Sequence, residues 1–190
     1  MTRDGAPKAR PVRHLDVEIS KGAGDWDVAA EEIMLRVAQM TYDLGASDQA
    51  GAAELSILLA DDEFVRTLNR KYRGQDKPTN VLSFPQLLGS ADPHFGGVLP
   101  LGDIVLAHET LVREASEQGK TFDDHLAHLV AHGVLHLMGY DHEENETEAE
   151  EMESMERVIL ARFEIADPYA CESDDENGQK GVPAGAEKTK

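Results

Sequence analysis

The sequence predicts an α+β fold: a small mixed four-stranded sheet packed with about five helices, the helix over 121–138 central among them. Three observations lead there. Strand-like segments all fall before residue 107, and helix-like segments dominate after it. With 190 residues at 41% hydrophobic content, the chain can build one well-cored domain and not two.

Taken in order, residues 1–12 are polar and expected to be disordered. From His14 to Ser20, Leu15, Val17 and Ile19 alternate with polar neighbours, the period of a half-buried strand. Ala29, Ile33, Val37 and Met40 recur at helical spacing within a helix from Trp26 to about Leu44. Glu54–Ala60 is a strand-like apolar run, ending at Asp61-Asp62, where either acid suits the cap of a helix reaching Tyr72. Gly74–Thr79 is a turn-rich loop, and Asn80–Phe84 a short strand stopped by Pro85. After a Gly- and Pro-rich loop over 86–100, Leu101–Ala107 reads as a buried strand carrying Asp103. Two helices follow, about 108–118 and 121–138, parted by Gly119, with Thr121 and Asp124 as a capping pair for the second. Residues 145–164 form an acidic amphipathic helix with Met152, Met155, Ile159 and Phe163 as its expected buried stripe. The composition of 171–190 predicts a disordered acidic tail, leaving 13–170 as a single domain.

No apolar run is long enough to span a membrane, and no apolar segment follows the first charged residues as a secretory signal requires. The single cysteine, Cys171, excludes an internal disulfide and a cysteine-based metal site. A reducing cytoplasm is therefore the expected location.

The formal charge of −19 taken alone argues against nucleic-acid binding. Its distribution is uneven. Phe64–Lys77 carries Arg66, Arg70, Lys71, Arg73 and Lys77 against one acid, Asp76, whereas Glu143–Glu156 holds eight glutamates and no base. Fields beyond about 8 Å are heavily screened, so the local patch counts for more than the total. On composition the basic stretch suits a solvated helix face and a phosphate-binding face equally.

The chemistry concentrates in His132-Gly133-Val134-Leu135-His136-Leu137-Met138-Gly139-Tyr140-Asp141-His142. Histidines four residues apart lie within about 40° on one helix face, about 6 Å apart along the axis. Gly139 suits the left-handed residue that ends a helix, and the reversal can bring His142 back to the other two. Three imidazoles make a tripod for zinc with a fourth position open. The pattern is the H-E-x-x-H-x-x-G-x-x-H motif with its glutamate, which would face the metal as a peptidase's general base, replaced by Gly133. Glycine accepts no proton, so the metal cage reads as present and the peptidase base as absent. The bland alternative is an amphipathic helix with partly buried, hydrogen-bonded histidines. His128 would sit about 12 Å from His136 along the axis, too far to share one ion, and reads as a supporting or core histidine. His125 reads as solvated.

These residues resemble the metal motif of the YbeY family of ribosomal-RNA maturation endoribonucleases. Tyr72-Arg73-Gly74-Gln75-Asp76-Lys77-Pro78-Thr79-Asn80-Val81-Leu82-Ser83-Phe84-Pro85, Leu101-Gly102-Asp103-Ile104-Val105 and Asp167-Pro168-Tyr169 also match, so the resemblance spans roughly residues 14–170. It implies a zinc-dependent, single-strand-selective endoribonuclease acting in 3′-end maturation of small-subunit ribosomal RNA and in ribosome quality control. Its implied partners are single-stranded and ribosomal RNA, with ribosomal proteins or assembly factors besides, and neither DNA nor a membrane. The family's ligands carry over to His132, His136 and His142, holding one Zn²⁺ per chain, and its functional arginine to Arg73.

Arg73, forked and permanently charged, suits the negative charge that builds on an attacked phosphodiester. Its bland reading is a surface arginine at a helix C-terminus. Asp103 is a candidate either for orienting a ligand histidine or for a loop hydrogen bond at the strand's end. Two other functions compete: an RNA-binding ribosome-assembly factor with a structural zinc closed by a fourth ligand such as Asp141 or His128, and a zinc peptidase, which Gly133 disfavours.

Overall fold

The computed structural model describes residues 13–47, 50–86, 97–140 and 146–170. Its elements run β1 (His14–Lys21), α1 (Val28–Gly45), β2 (Ala52–Ala60), α2 (Asp62–Arg73), β3 (Val81–Pro85), β4 (Leu99–Ala107), α3 (His108–Glu117), α4 (Phe122–Leu137) and α5 (Glu146–Ala161). The predicted α+β class stands. The sheet order is β1-β2-β4-β3, with β1, β2 and β4 parallel and β3 antiparallel to β4 at one edge. The expected disordered ends, 1–12 and 171–190, lie outside the described residues, as does His142.

Local chemistry sets the boundaries. Asp27, and not Trp26, begins the first helix, its carboxylate accepting from the Ala30 N–H, and Trp26 instead packs edge-on against His108. Asp61 and Thr121 cap α2 and α4 through the N–H groups of Phe64 and Asp124. In β4, Leu101 is an extra residue opposite the Glu54–Leu55 step, so the strand bulges there. Gly102 follows with φ of 134°, and a Cβ on it would lie 2.2 Å from the Phe84 carbonyl oxygen, so β3 closes on β4 only because position 102 lacks a side chain.

Strand alternation divides the core in two. Leu55, Ile57, Leu59, Ile104 and Leu106 face α1 and α4 in the main core, with Met34, Val37 and Tyr42 of α1 and Val130, Val134 and Leu135 of α4. Each fully buried side chain of this size contributes about 1.5–3 kcal/mol. The intervening residues Ala60, Leu82, Val105 and Ala107 meet Val65 of α2 on the opposite face. Helix α4 is central, touching α1, α3, α5, β3 and β4. On α5 the buried stripe is Met152, Glu156, Ile159 and Leu160, with Met155 and Phe163 only partly covered. The structure thus corrects the expected stripe by placing a carboxylate within it.

Candidate active site

Helix α4 presents His132 and His136 on one face, and their hydrogen bonds fix which nitrogen each ring offers. His136 Nδ1 lies 3.0 Å from the Tyr140 carbonyl oxygen. A carbonyl only accepts, so Nδ1 carries the proton and Nε2 the lone pair. His132 Nδ1 lies 2.8 Å from Oε1 of Glu156, a carboxylate, and the same assignment follows. The two Nε2 atoms then face one another 3.1 Å apart. Two ligands of a tetrahedral zinc with bonds of about 2.0–2.1 Å stand about 3.3 Å apart, so the pair fits such an ion without rearrangement. Gly139 has φ of 93°, the left-handed conformation that ends α4. His142 lies outside the described residues, and among the described residues no group of three metal-ligating side chains is found.

His128 stands apart from the pair. Its ring centre is 6.4 Å from that of His132, against 4.5 Å between His132 and His136, and its Nε2 points to Glu156 Oε2 at 3.2 Å. It shares the Glu156 carboxylate with His132 and does not join the His132–His136 pair. His125 is not solvated: it is 3% exposed, with Nε2 3.0 Å from Glu114 Oε2. That carboxylate also accepts from Asn80 Nδ2 at 2.8 Å, and Asn80 in turn accepts the Val81 N–H at 2.7 Å. His125 therefore helps hold the loop before β3. Burial lowers the His125 pKa below its ordinary value, and the opposing Glu114 only partly offsets this.

Asp103 is also placed otherwise than either sequence reading. It alternates with Ile104 and so projects from the sheet face away from α4, in a groove with Asp16, Glu18 and Glu54. The carboxylate that meets a ligand-type histidine is Glu156, which sequence reasoning passed over. Its signal was available: position 156 stands four residues after Met152 and three before Ile159, a core position occupied by an acid. Glu156 is fully buried. Burial alone would raise its pKa, yet hydrogen bonds from His128, His132 and Tyr169 hold it down at about 2.

Gly133 has a packing role. A Cβ there would lie 2.9 Å from Ile104 Cδ1 and 3.2 Å from Ser83 Oγ, so α4 packs closely on β3 and β4 and a side chain at 133 would require Ile104 to shift.

Arg73 reaches the same cleft from the other side of the sheet. Helix α2 lies over the opposite face, but β3 is the edge strand, and the chain passes round that edge after Gly74. Gly74 is left-handed at φ of 69°, and Asn69, buried at the end of α2, donates from Nδ2 to the Lys77 carbonyl at 2.8 Å. Arg66 is engaged by Asp76 at 2.8 Å, and Arg70 approaches the same carboxylate at 4.0 Å. Arg73, Thr79, Asn80 and Ser83 line a cleft of about 300 Å³ with His132 and His136. No acidic side chain lines it among the described residues. In a chain of charge −19, a described lining with an arginine and no carboxylate suits an anion better than a cation.

Fold and site together define an α+β protein with a histidine-bearing central helix and a cleft that Arg73 flanks and that no acid lines among the described residues. The family model of endoribonuclease YbeY matches residues 19–164. A protein named endoribonuclease YbeY from Parvibaculum lavamentivorans is 47% identical over 184 residues, covering 90% of this chain and 98% of that protein. Namesakes from Rhodopseudomonas palustris and Rhizobium meliloti are 49% and 50% identical, covering 85% and 82% of this chain and 83% and 95% of theirs. The chain belongs to the endoribonuclease YbeY family.

Proposed function

We propose that this chain is a zinc-dependent endoribonuclease that cleaves single-stranded RNA, with His132, His136 and His142 holding one zinc ion and Arg73 gripping the scissile phosphate. Membership of an endoribonuclease family supports the reaction class. The single observation that carries the site assignment is the shared cleft, where His132, His136 and Arg73 meet with no carboxylate among the described lining residues. Zinc bound there would supply Lewis acidity to the phosphodiester. The chain's own part is to bind and orient: Arg73 offers two parallel N–H donors to non-bridging oxygens, and Thr79 and Ser83 add neutral hydroxyls that do not repel an anion. The finer reading, 3′-end maturation of small-subunit ribosomal RNA and ribosome quality control in the cytoplasm, rests on the sequence resemblance.

The second reading is an RNA-binding assembly factor with a structural zinc. Closing the site through His128 would require that ring to leave Glu156, which it contacts at 3.2 Å, so the geometry disfavours His128 as a fourth ligand, while Asp141 lies outside the described residues. Incubating purified protein with single-stranded RNA, double-stranded RNA and casein separates the readings. The proposal expects cleavage of single-stranded RNA alone. Binding without cleavage favours the assembly factor, and casein digestion a peptidase.

A further inference from the structure

Glu156 is a costly residue for its place. A carboxylate in an apolar stripe loses hydration worth several kcal/mol, and a hydrophobic residue of similar size there would commonly be neutral or stabilising. Met152, Ile159 and Leu160 show what the stripe otherwise requires. Departures of this kind concentrate where a residue serves function.

Its partners indicate which function. Oε1 accepts from His132 Nδ1 at 2.8 Å. Oε2 accepts from His128 Nε2 at 3.2 Å and from the Tyr169 hydroxyl. Three donors thus converge on one buried carboxylate, and none of them is a lysine or arginine. Tyr169 is itself held. Its N–H donates to Asp167 Oδ1 at 2.9 Å, Asp167 receives Arg157 Nε of α5 at 3.3 Å, and the Arg157 guanidinium lies 5.0 Å over the tyrosine ring. Its ring also meets His128 edge-on at 5.8 Å. The residues after α5 are therefore folded back onto the carboxylate that touches His132.

We propose that Glu156, held by Tyr169 and His128, is a positioning residue that fixes the proton of His132 on Nδ1 and keeps its Nε2 aimed at His136. This rests on the proposed metal site only in what it does for zinc, since the hydrogen bonds themselves need no ion. Asp167-Pro168-Tyr169 is then a clasp on the site, so the segment following α5 governs how tightly His132 grips a metal.

The test uses the full chain with nitrogen-15-labelled histidine, freed of metal, and reads the His132 tautomer by NMR. It then measures zinc affinity by competition with a chromophoric chelator, for wild type, Glu156→Gln, Glu156→Met and Tyr169→Phe, well below each melting temperature. The expected wild-type tautomer carries its proton on Nδ1. Glu156→Met removes the acceptor and should weaken zinc binding about 10–100-fold, as loss of an orienting partner typically does. Glu156→Gln keeps an acceptor oxygen and should lose less, and Tyr169→Phe should give a smaller loss of the same sign. A purely structural Glu156 would lower the melting temperature of these variants and leave the zinc affinity of the folded protein unchanged, which overturns the proposal. So does an Nε2 proton on His132 in the metal-free wild type, or equal losses in the Gln and Met variants. If Glu156→Met fails to fold, Tyr169→Phe and the wild-type tautomer decide. A wild type that binds no zinc would refute the proposed activity, while the tautomer would still decide the clasp.

Discussion

His132 and His136 hold their Nε2 atoms 3.1 Å apart while both Nδ1 atoms are engaged by acceptors, a glutamate for one and a main-chain carbonyl for the other. Two lone pairs aimed at one point repel unless a proton or a cation lies between them. Metal analysis of the purified protein should find about one zinc per chain, and His136→Ala should lose most of it. Zinc binds the folded state, so stripping it should also lower the thermal midpoint. Full zinc content in a double variant of His132 and His142 would contradict this assignment.

Arg73 should act on substrate and hardly on the fold. Arg73→Glu is expected to reduce RNA cleavage by about 10²–10³-fold, the usual effect of removing a donor to developing charge. Zinc content should not change, and stability should move by less than about 1 kcal/mol, since the side chain is exposed. Arg73→Lys should recover only part of the rate, because an ammonium cannot make the forked contact. Cleavage kinetics beside metal analysis and thermal melts check all three.

At Gly133 the expected outcome is set by packing. Gly133→Ala places a methyl 2.9 Å from Ile104 Cδ1. Overpacking of this kind costs about 1–3 kcal/mol, against a gain of about 1 kcal/mol in helix propensity. The melting temperature should fall by about 2–4 °C. Gly133→Glu, which adds a charge at the same contact, should be far less stable and should digest no casein. A more stable Gly133→Ala would show that α4 can move off the sheet.

The buried His125 should make stability depend on pH. Its folded pKa lies below the ordinary 6.5, so below that pH the unfolded chain takes up a proton that the folded chain refuses. The contribution is present above about 6.5 and is lost as the pH falls below it. With chelator present throughout, thermal midpoints should drop between about pH 7.5 and 5.5, and His125→Gln should flatten that dependence. An equal slope in the variant would assign the effect to other groups.

Much of this was legible in the sequence because it rests on local periodicity. The two-residue alternation at Leu15, Val17 and Ile19 gave β1, and the four-residue histidine spacing gave the paired rings on α4. The left-handed Gly139 followed from glycine's lack of a Cβ. What stayed hidden depends on which sheet face a residue occupies and on contacts between distant segments. Asp103 alternates away from α4 because a bulge at Leu101 precedes it. His125 is covered by α3 through Glu114, eleven residues earlier in the chain. Glu156 was read as one acid in an acidic run, although its spacing from Met152 and Ile159 placed it inward. Gly133 lacks the side chain of a base, and its close contact with Ile104 and Ser83 depends on strands far away in the chain.

The most direct test of the central claim is a zinc titration of RNA cleavage. Protein stripped by chelator and freed of it should cut single-stranded RNA at background rate. Activity should return in proportion to added zinc and level off near one equivalent per chain. Wild-type rates from the stripped protein, or no return of cleavage after zinc has bound, would contradict the account.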